Sequence, residues 1–247
     1  MKTARFEFAP CLRPLLARNL RDGPLDLRFD GPQTAKHLIE SLGIPHTEIG
    51  ELRADGEVVG LGYLVHDGDR LEVGAGTRVE VDAGEPRFIL DGHLGRLAAR
   101  LRMLGLDCLY SSAAEDEQLA RVSAEEGRIL LTRDRRLLMR KVVTQGYLLR
   151  SLDSNEQLRE VVKRYEPWRW VKPFRRCLRC NHPLETASKE AVIDRLEPLT
   201  KRYFDEFRIC PACSQVYWKG SHYERMLELI AQVAGTDKNM SLRTPEG

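Results

Sequence analysis

No apolar run in this sequence approaches the ~18 residues that a helix needs to cross a bilayer, which excludes an integral membrane protein of the helical kind. The opening stretch, MKTARFEFAPCLRPLL, is interrupted by Glu7, Pro10 and Arg13, which argues against a signal peptide. A net charge of only +2 with 42% hydrophobic residues removes the conditions for wholesale disorder. There is no internal repeat, low-complexity tract, P-loop or Gly-x-Gly-x-x-Gly, and no Ser/His/Asp or Cys/His arrangement suited to a covalent nucleophile. What is left is a soluble, cytoplasmic chain whose 247 residues allow one large domain or two to three small ones.

The chain has six cysteines, and their placement is informative. Cys11 and Cys108 stand alone in apolar settings and are expected as buried thiols. The other four form two tight pairs, Cys177 with Cys180 and Cys210 with Cys213. In a chain without export signals, such pairs read as metal ligands before disulfides. Charge is also unevenly spread. Residues 1–80 carry 10 Lys/Arg against 13 Asp/Glu, a balance of −3, so the remainder holds +5. A polyanionic partner would belong with the back of the chain.

Residues 1–80 read as a small α+β unit. ARFEFA and LDLRF alternate as half-buried strands do, TAKHLIESLGI has helical spacing between Thr34 as N-cap and Gly43 as stop, and Asp55-Gly56 and Asp67-Gly68 punctuate short strands. That order resembles the β-grasp fold of ubiquitin-like sulfur carriers. The carriers end in a free Gly-Gly, whereas this chain continues through VGAGTRVEVDAG into a further domain. The expectation is therefore a docking module for a protein partner rather than a transferred carrier.

Residues 86–165 alternate strand and helix. RFIL, LDCLY, RILLT and YLLRS read as strands. GHLGRLAARLRMLG, DEQLARVSAEEG, DRRLLMRKVVTQ and NEQLREVVKRY read as helices. Such alternation predicts an α/β domain with a parallel sheet covered on both faces. Asp91, Asp134 and Asp153 fall just past strand ends, where open α/β sheets bind ligands, and Asp116 opens the middle helix. Carboxylates gathered in one crevice repel one another unless a divalent cation neutralises them, and hard oxygen donors select Mg²⁺ or Mn²⁺, ions that activate water for phosphodiester cleavage. The bland alternative is that these acids are helix N-caps.

The strings LDGHLGRLAARLR and RILLTRD, with the two Cys pairs and VYWKGSHYERM behind them, resemble the Mut-seven-C RNase family, a branch of the PIN-like nucleases whose bacterial members often carry a β-grasp module in front. The resemblance implies a PIN-like RNase domain over 86–165. In it Asp91, Asp116 and Asp134 would bind Mg²⁺ or Mn²⁺, Asp153 would be a fourth catalytic acid, and water would cut RNA without a covalent enzyme intermediate. Glu115 or Glu117 could stand in for Asp116. Arg96, Arg100 and Arg133 lie close by in sequence and could hold phosphates, although Arg96 and Arg100 could equally be a solvated helix face.

CLRC and CPAC, separated by 29 residues, have the spacing of a zinc ribbon over 166–235. Four thiolates leave no open position, so the Zn²⁺ would be structural, replacing a core that so short a segment can hardly build. Just before the first pair, Trp168, Arg169, Trp170, Lys172, Arg175 and Arg176 interleave aromatic faces with cations, a combination suited to single-stranded RNA. An interdomain linker packed on its neighbour would look the same. Residues 236–247 read as a disordered tail. The expected function is a metal-dependent ribonuclease. The alternatives are a non-catalytic RNA-binding adaptor, or a sulfur-transfer or ubiquitin-like partner protein built on the N-terminal module.

Overall fold

The alternation in KTARFEF places Ala4, Phe6 and Phe8 on one face. In the computed structural model, which describes residues 1–76 and 84–234, that stretch is β1 (Lys2–Phe8) with all three side chains buried. The expected tail at 236–247 and the boundary at 80 lie outside the described residues. There follow β2 (Leu25–Phe29), β3 (Gln33–Thr34), α1 (Ala35–Ser41), β4 (Ile49–Ala54), β5 (Glu57–Val59), β6 (Leu64–Val65) and β7 (Arg70–Ala75). Five of these strands form a sheet in the order β2-β1-β7-β4-β5, with β1 and β7 parallel at its centre and the other pairs antiparallel. Thr34 caps α1 by accepting the His37 amide at 3.2 Å, as its position in the sequence suggests. This is the β-grasp arrangement. Cys11, expected to be buried, is exposed, because the turn after β1 gives the inward position to Leu12 instead.

The next segment contains β8 (Arg87–Leu90), α2 (Gly95–Met103), β9 (Asp107–Tyr110), α3 (Asp116–Glu126), β10 (Ile129–Thr132), α4 (Arg135–Leu138), β11 (Gly146–Leu148) and α5 (Ser154–Tyr165). β8 pairs with β9 and β10 with β11, both parallel. Leu97, Ala98 and Leu101 of α2 are fully buried, the apolar stripe that the spacing predicts. α4 ends after one turn, although the sequence pattern reads as a helix to residue 145. The β-branched run Val142, Val143 and Thr144 resists helix, and a turn forms with the Val143 amide donating to the Arg140 carbonyl.

The last segment is an antiparallel ribbon of β12 (Glu185–Ala187), β13 (Phe207–Ile209) and β14 (Val216–Trp218). Two short helices, α6 (Lys189–Val192) and α7 (Pro198–Tyr203), separate its first two strands, and α8 (Ser221–Ala234) closes it. Val192, Leu196, Phe207 and Val216 form its small apolar centre. None of the described helices is long and apolar enough to cross a membrane.

The compact units do not follow chain order. One comprises Met1–Glu80 with Ala113–Arg150, the other Val81–Ser112 with Ser151–Gly247. In the first, Glu48 is 2% exposed and accepts the Leu148 amide at 2.7 Å and an Arg150 guanidinium nitrogen at 3.1 Å. The His46 ring stands 2.7 Å from both the Glu40 carboxylate and the Val143 carbonyl. The β-grasp module is thus bonded to the strand and turn that follow α4. In the second unit, Gly105 takes a φ of +87° where the Lys172 carbonyl lies against its backbone, leaving no room for a Cβ. The Lys172 amide returns a bond to the Leu104 carbonyl at 3.0 Å.

Candidate functional site

The four acids occupy three kinds of position. Asp134 follows β10 and caps α4, its Oδ1 accepting the Arg136 amide at 2.7 Å. Its own amide donates to Oγ1 of the buried Thr132 at 2.9 Å, so the strand end and the helix start fix the carboxylate together. Its second oxygen has no hydrogen-bond partner among the described residues. Asp153 caps α5 and accepts the Asn155 and Glu156 amides at 2.9 and 3.0 Å. Those two bonds hold its carboxyl below the ordinary carboxylate range, helped by Arg100 and Arg159 and opposed by slight desolvation.

Asp116 is the first residue of α3, exposed, and without a hydrogen-bond or ion-pair partner among the described residues; the cap position belongs to Glu115, whose side chain makes no capping bond. Asp91 follows β8 half-buried. Its carbonyl accepts the Leu94 amide at 2.9 Å, and Leu94, not Asp91, precedes α2. The N-cap reading therefore holds for Asp134 and Asp153 and not for Asp91 or Asp116. Asp116 and Asp134 belong to one compact unit and Asp91 and Asp153 to the other.

The loop after Asp91 is shaped by Tyr110 at the end of β9. Its hydroxyl donates to the Gly92 carbonyl at 2.9 Å, and its ring lies where Gly95 would carry a side chain: a Cβ there would stand 2.7 Å from the hydroxyl oxygen. Gly95 thus serves a close approach to the Tyr110 ring, while Gly92 sits in the turn that the Leu94 amide closes onto the Asp91 carbonyl.

The arginines divide. Arg96 and Arg133 are exposed, with no side-chain partner among the described residues. Arg100 donates to the Asn155 side chain at 2.8 Å. Arg175 pairs with Glu85 at 3.1 Å and Arg176 with Asp107 at 3.6 Å. Trp168 to Trp170 lie in a short 3₁₀ turn, where the Arg169 guanidinium stacks 3.9 Å above the Trp170 ring. Lys172 is exposed.

The cysteines are brought together. The ligand atoms of Cys177, Cys180, Cys210 and Cys213 all lie within 4.8 Å of one another, and they are the one group of three or more metal-ligating side chains so placed among the described residues. Sγ of Cys177 is 3.5 Å from that of Cys213, and Cys180 is 3.4 Å from Cys210. A tetrahedral ion with bonds of ~2.3 Å to sulfur sets its ligands about 3.8 Å apart, so the donor set fits one closed thiolate site. Both knuckles are built alike. Asn181 and Ser214, each just after the second Cys of its pair, take left-handed φ values of +71° and +60° and donate their amides to the carbonyls of Cys177 and Cys210 at 2.9 and 2.8 Å.

The thiols are electrostatically unequal. Burial pushes Cys177 up, but bonds from the Tyr217 hydroxyl and the Cys180 and Arg179 amides outweigh it and bring the thiol down to about 7. Cys180 is pushed up to about 12, chiefly by desolvation and by sharing protons with its neighbours. Burial and the bond to Cys177 also raise the Tyr217 phenol.

Family comparison finds the Mut7-C RNAse domain over residues 86–230, more than half of the chain. The chain belongs to the Mut7-C RNAse family. The Mut7-C ubiquitin domain matches residues 1–77, so the two Mut7-C modules occur in the order expected, with the β-grasp domain first. No curated protein and no solved structure gives a significant match. In this Mut7-C chain the sequence reading missed the groups that support the functional ones. Thr132 had a signal, the T of TRD. Asn181, directly after a knuckle cysteine, had a weaker one in its tolerance of left-handed backbone. Nothing local marked Arg102, which is 3% exposed and donates to the carbonyls of Cys108, Leu178 and Arg179 at 2.9, 3.1 and 3.0 Å.

Proposed function

We propose that this Mut7-C protein is a metal-dependent ribonuclease that hydrolyses RNA phosphodiester bonds with water. Asp91, Asp116 and Asp134 would hold Mg²⁺ or Mn²⁺, with Asp153 as a fourth acid, and one structural Zn²⁺ would sit among the four cysteines. The match to the Mut7-C RNAse domain carries the reading. Asp116 and the second oxygen of Asp134 support it, being hard donors left without partners among the described residues. Bound there, a divalent cation supplies positive charge to the phosphate and acidifies the attacking water. The chain's own part is positional. Thr132 and the Arg136 amide fix Asp134, Arg133 and Arg96 present cations to phosphate, and Tyr110 shapes the loop behind Asp91.

The β-grasp module would serve as a docking surface for a protein partner. The working boundaries are 1–80, 86–165 and 166–235, and the setting is cytoplasmic, consistent with cysteines paired for a metal. A second reading, an RNA-binding adaptor without catalysis, is favoured by the capping roles of Asp134 and Asp153. Incubating zinc-loaded protein with 5′-labelled single-stranded and folded RNAs, with and without added Mn²⁺ or Mg²⁺, separates the two. Cleavage that depends on the added ion supports the enzyme; RNA retained intact under all conditions supports the adaptor.

A further inference from the structure

Phe174, Tyr217, Trp218 and Tyr223 line a cavity of about 390 Å³ between the first knuckle, β14 and the start of α8, with Leu178 and Met226 completing its apolar wall. All of these residues belong to one compact unit. The volume lies in the range of pockets that hold small planar ligands.

The aromatic lining is held in place. The Phe174 ring stands edge-on to Tyr223, with centroids 4.9 Å apart, and to Tyr217 at 6.2 Å. Phe174 adopts a φ of +67°, a left-handed conformation that bulky residues rarely take, and Arg208 holds its carbonyl at 3.2 Å. The Tyr217 hydroxyl is fixed by the Leu178 amide at 3.0 Å and the Cys177 sulfur at 3.1 Å, so the knuckle itself sets the ring. Gln215 and Ser221 add side chains that can donate and accept at the same cavity.

Charge decides what such a pocket would take. From Pro167 to Leu184 the chain carries Arg169, Lys172, Arg175, Arg176 and Arg179 and no acid. Arg175 and Arg176 are paired with Glu85 and Asp107, but Lys172 and Arg179 are exposed and have no ion-pair partner among the described residues. These two flank the cavity in sequence, Lys172 two residues before Phe174 and Arg179 directly after Leu178. Flat apolar faces beside unpaired cations suit a polyanion with exposed rings, and an RNA duplex keeps its rings stacked inside.

We propose that this cavity receives an unpaired base of single-stranded RNA, stacked on the aromatic lining, while Lys172 and Arg179 hold the flanking phosphates. The proposal rests on the ribonuclease reading for its substrate class and adds a binding site separate from the acids.

The test is fluorescence anisotropy of a labelled ten-nucleotide RNA with zinc-loaded protein in buffer free of Mg²⁺ and Mn²⁺, so that binding is measured without cleavage. Tyr223→Leu keeps apolar bulk, and Phe174→Gly suits the left-handed backbone. Each is expected to weaken single-strand binding about tenfold while zinc content and Tm stay near wild type. Lys172→Ala and Arg179→Ala should each lower the slope of log Kd against log salt by about 0.7. RNA carrying 4-thiouridine, crosslinked by light to the wild-type protein, should attach at Tyr217, Trp218 or Tyr223, a readout that needs no variant. Folded variants that bind as tightly as wild type, equal affinity for duplex, or crosslinks confined to other segments would overturn the proposal. Ion-dependent cleavage with unaltered binding in the aromatic variants would sink the pocket and leave the nuclease standing. Loss of binding in those variants, with no cleavage by wild type, would do the reverse.

Discussion

Arg135 donates from its guanidinium to the Leu15 carbonyl at 2.7 Å, linking the residue next to Asp134 to the β-grasp module. The same nitrogen reaches the Gly43 carbonyl at 3.3 Å. The module therefore grips the start of the helix that Asp134 caps, and Glu48 grips the strand that follows. A carrier that must present its end to an activating enzyme has no need of such bonds. A module built into the same compact unit does.

Replacing Glu48 tests that integration. Glu48→Ala strands the buried Leu148 amide and removes one partner of Arg150, which is itself a third exposed and keeps its bond to the Tyr147 hydroxyl. The expected loss is about 2–3 kcal/mol in urea unfolding. The loss should appear as one cooperative transition that includes both the β-grasp module and residues 113–150. Unchanged stability would mean that the module is only tethered.

Zinc removal should be felt beyond the ribbon. Asn181 in the first knuckle accepts the Cys108 amide at 3.0 Å, and Arg102 ties Cys108 to the knuckle carbonyls. Purified protein should hold one zinc per chain. Stripping it should speed hydrogen exchange at Cys108 while leaving the β1 amides unchanged.

The pH dependence of zinc affinity follows from the thiols. Without the ion, Cys177 ionises at about 7, whereas Cys180 and Cys213 are shifted up and keep their protons at pH 8. Binding at pH 8 must displace at least those two protons, and below 7 the Cys177 proton as well. Apparent affinity should therefore rise with pH, by at least about a hundredfold per unit near pH 8 and more steeply below 7, as read by competition with a chromogenic chelator.

Asp153 separates capping from catalysis. Its carboxyl is held below the ordinary range in the folded state, so its contribution to stability is present above the unfolded carboxylate pKa and is lost as pH falls through the lower folded value. Asparagine caps nearly as well as aspartate. Asp153→Asn should keep Tm near wild type at pH 7, and Asp153→Ala should lower it by a few degrees. If Asp153 is only a cap, Asp153→Asn will cut RNA as wild type does; if it serves the metal site, activity will fall with the fold intact.

Gly95→Ala should destabilise by about 1–3 kcal/mol, because its Cβ would meet the Tyr110 ring. In the Tyr110→Ala background the same change should cost much less, and a double-mutant cycle by thermal unfolding measures the difference.

Much of this architecture was legible in the sequence because it is written in local patterns. β1 alternates, α2 carries its stripe at helical spacing, Thr34 caps and Gly127 ends a helix with a φ of +60°. The cysteine spacing likewise announced one shared site. The early end of α4, the exposure of Cys11 and the short helices α6 and α7 were not legible, since each depends on which neighbour takes the inward position. Long-range bonds left no trace either: Glu48 to Leu148 spans 100 residues, and Arg102 to Leu178 spans 76. Asp91, Asp134 and Asp153 were visible as residues after strands and Asp116 as the start of a helix, but whether an aspartate caps a helix depends on backbone direction, which composition does not carry.

The most direct measurement is the single-turnover rate of RNA cleavage in Mn²⁺ for wild type, Asp91→Asn and Asp134→Asn, each loaded with zinc. An asparagine in place of Asp134 would still cap α4, so a lost rate there reports the lost charge rather than a damaged fold. The account predicts metal-dependent cleavage by wild type and a fall on the order of a hundredfold or more in both variants. Cleavage at the wild-type rate in either variant would contradict it.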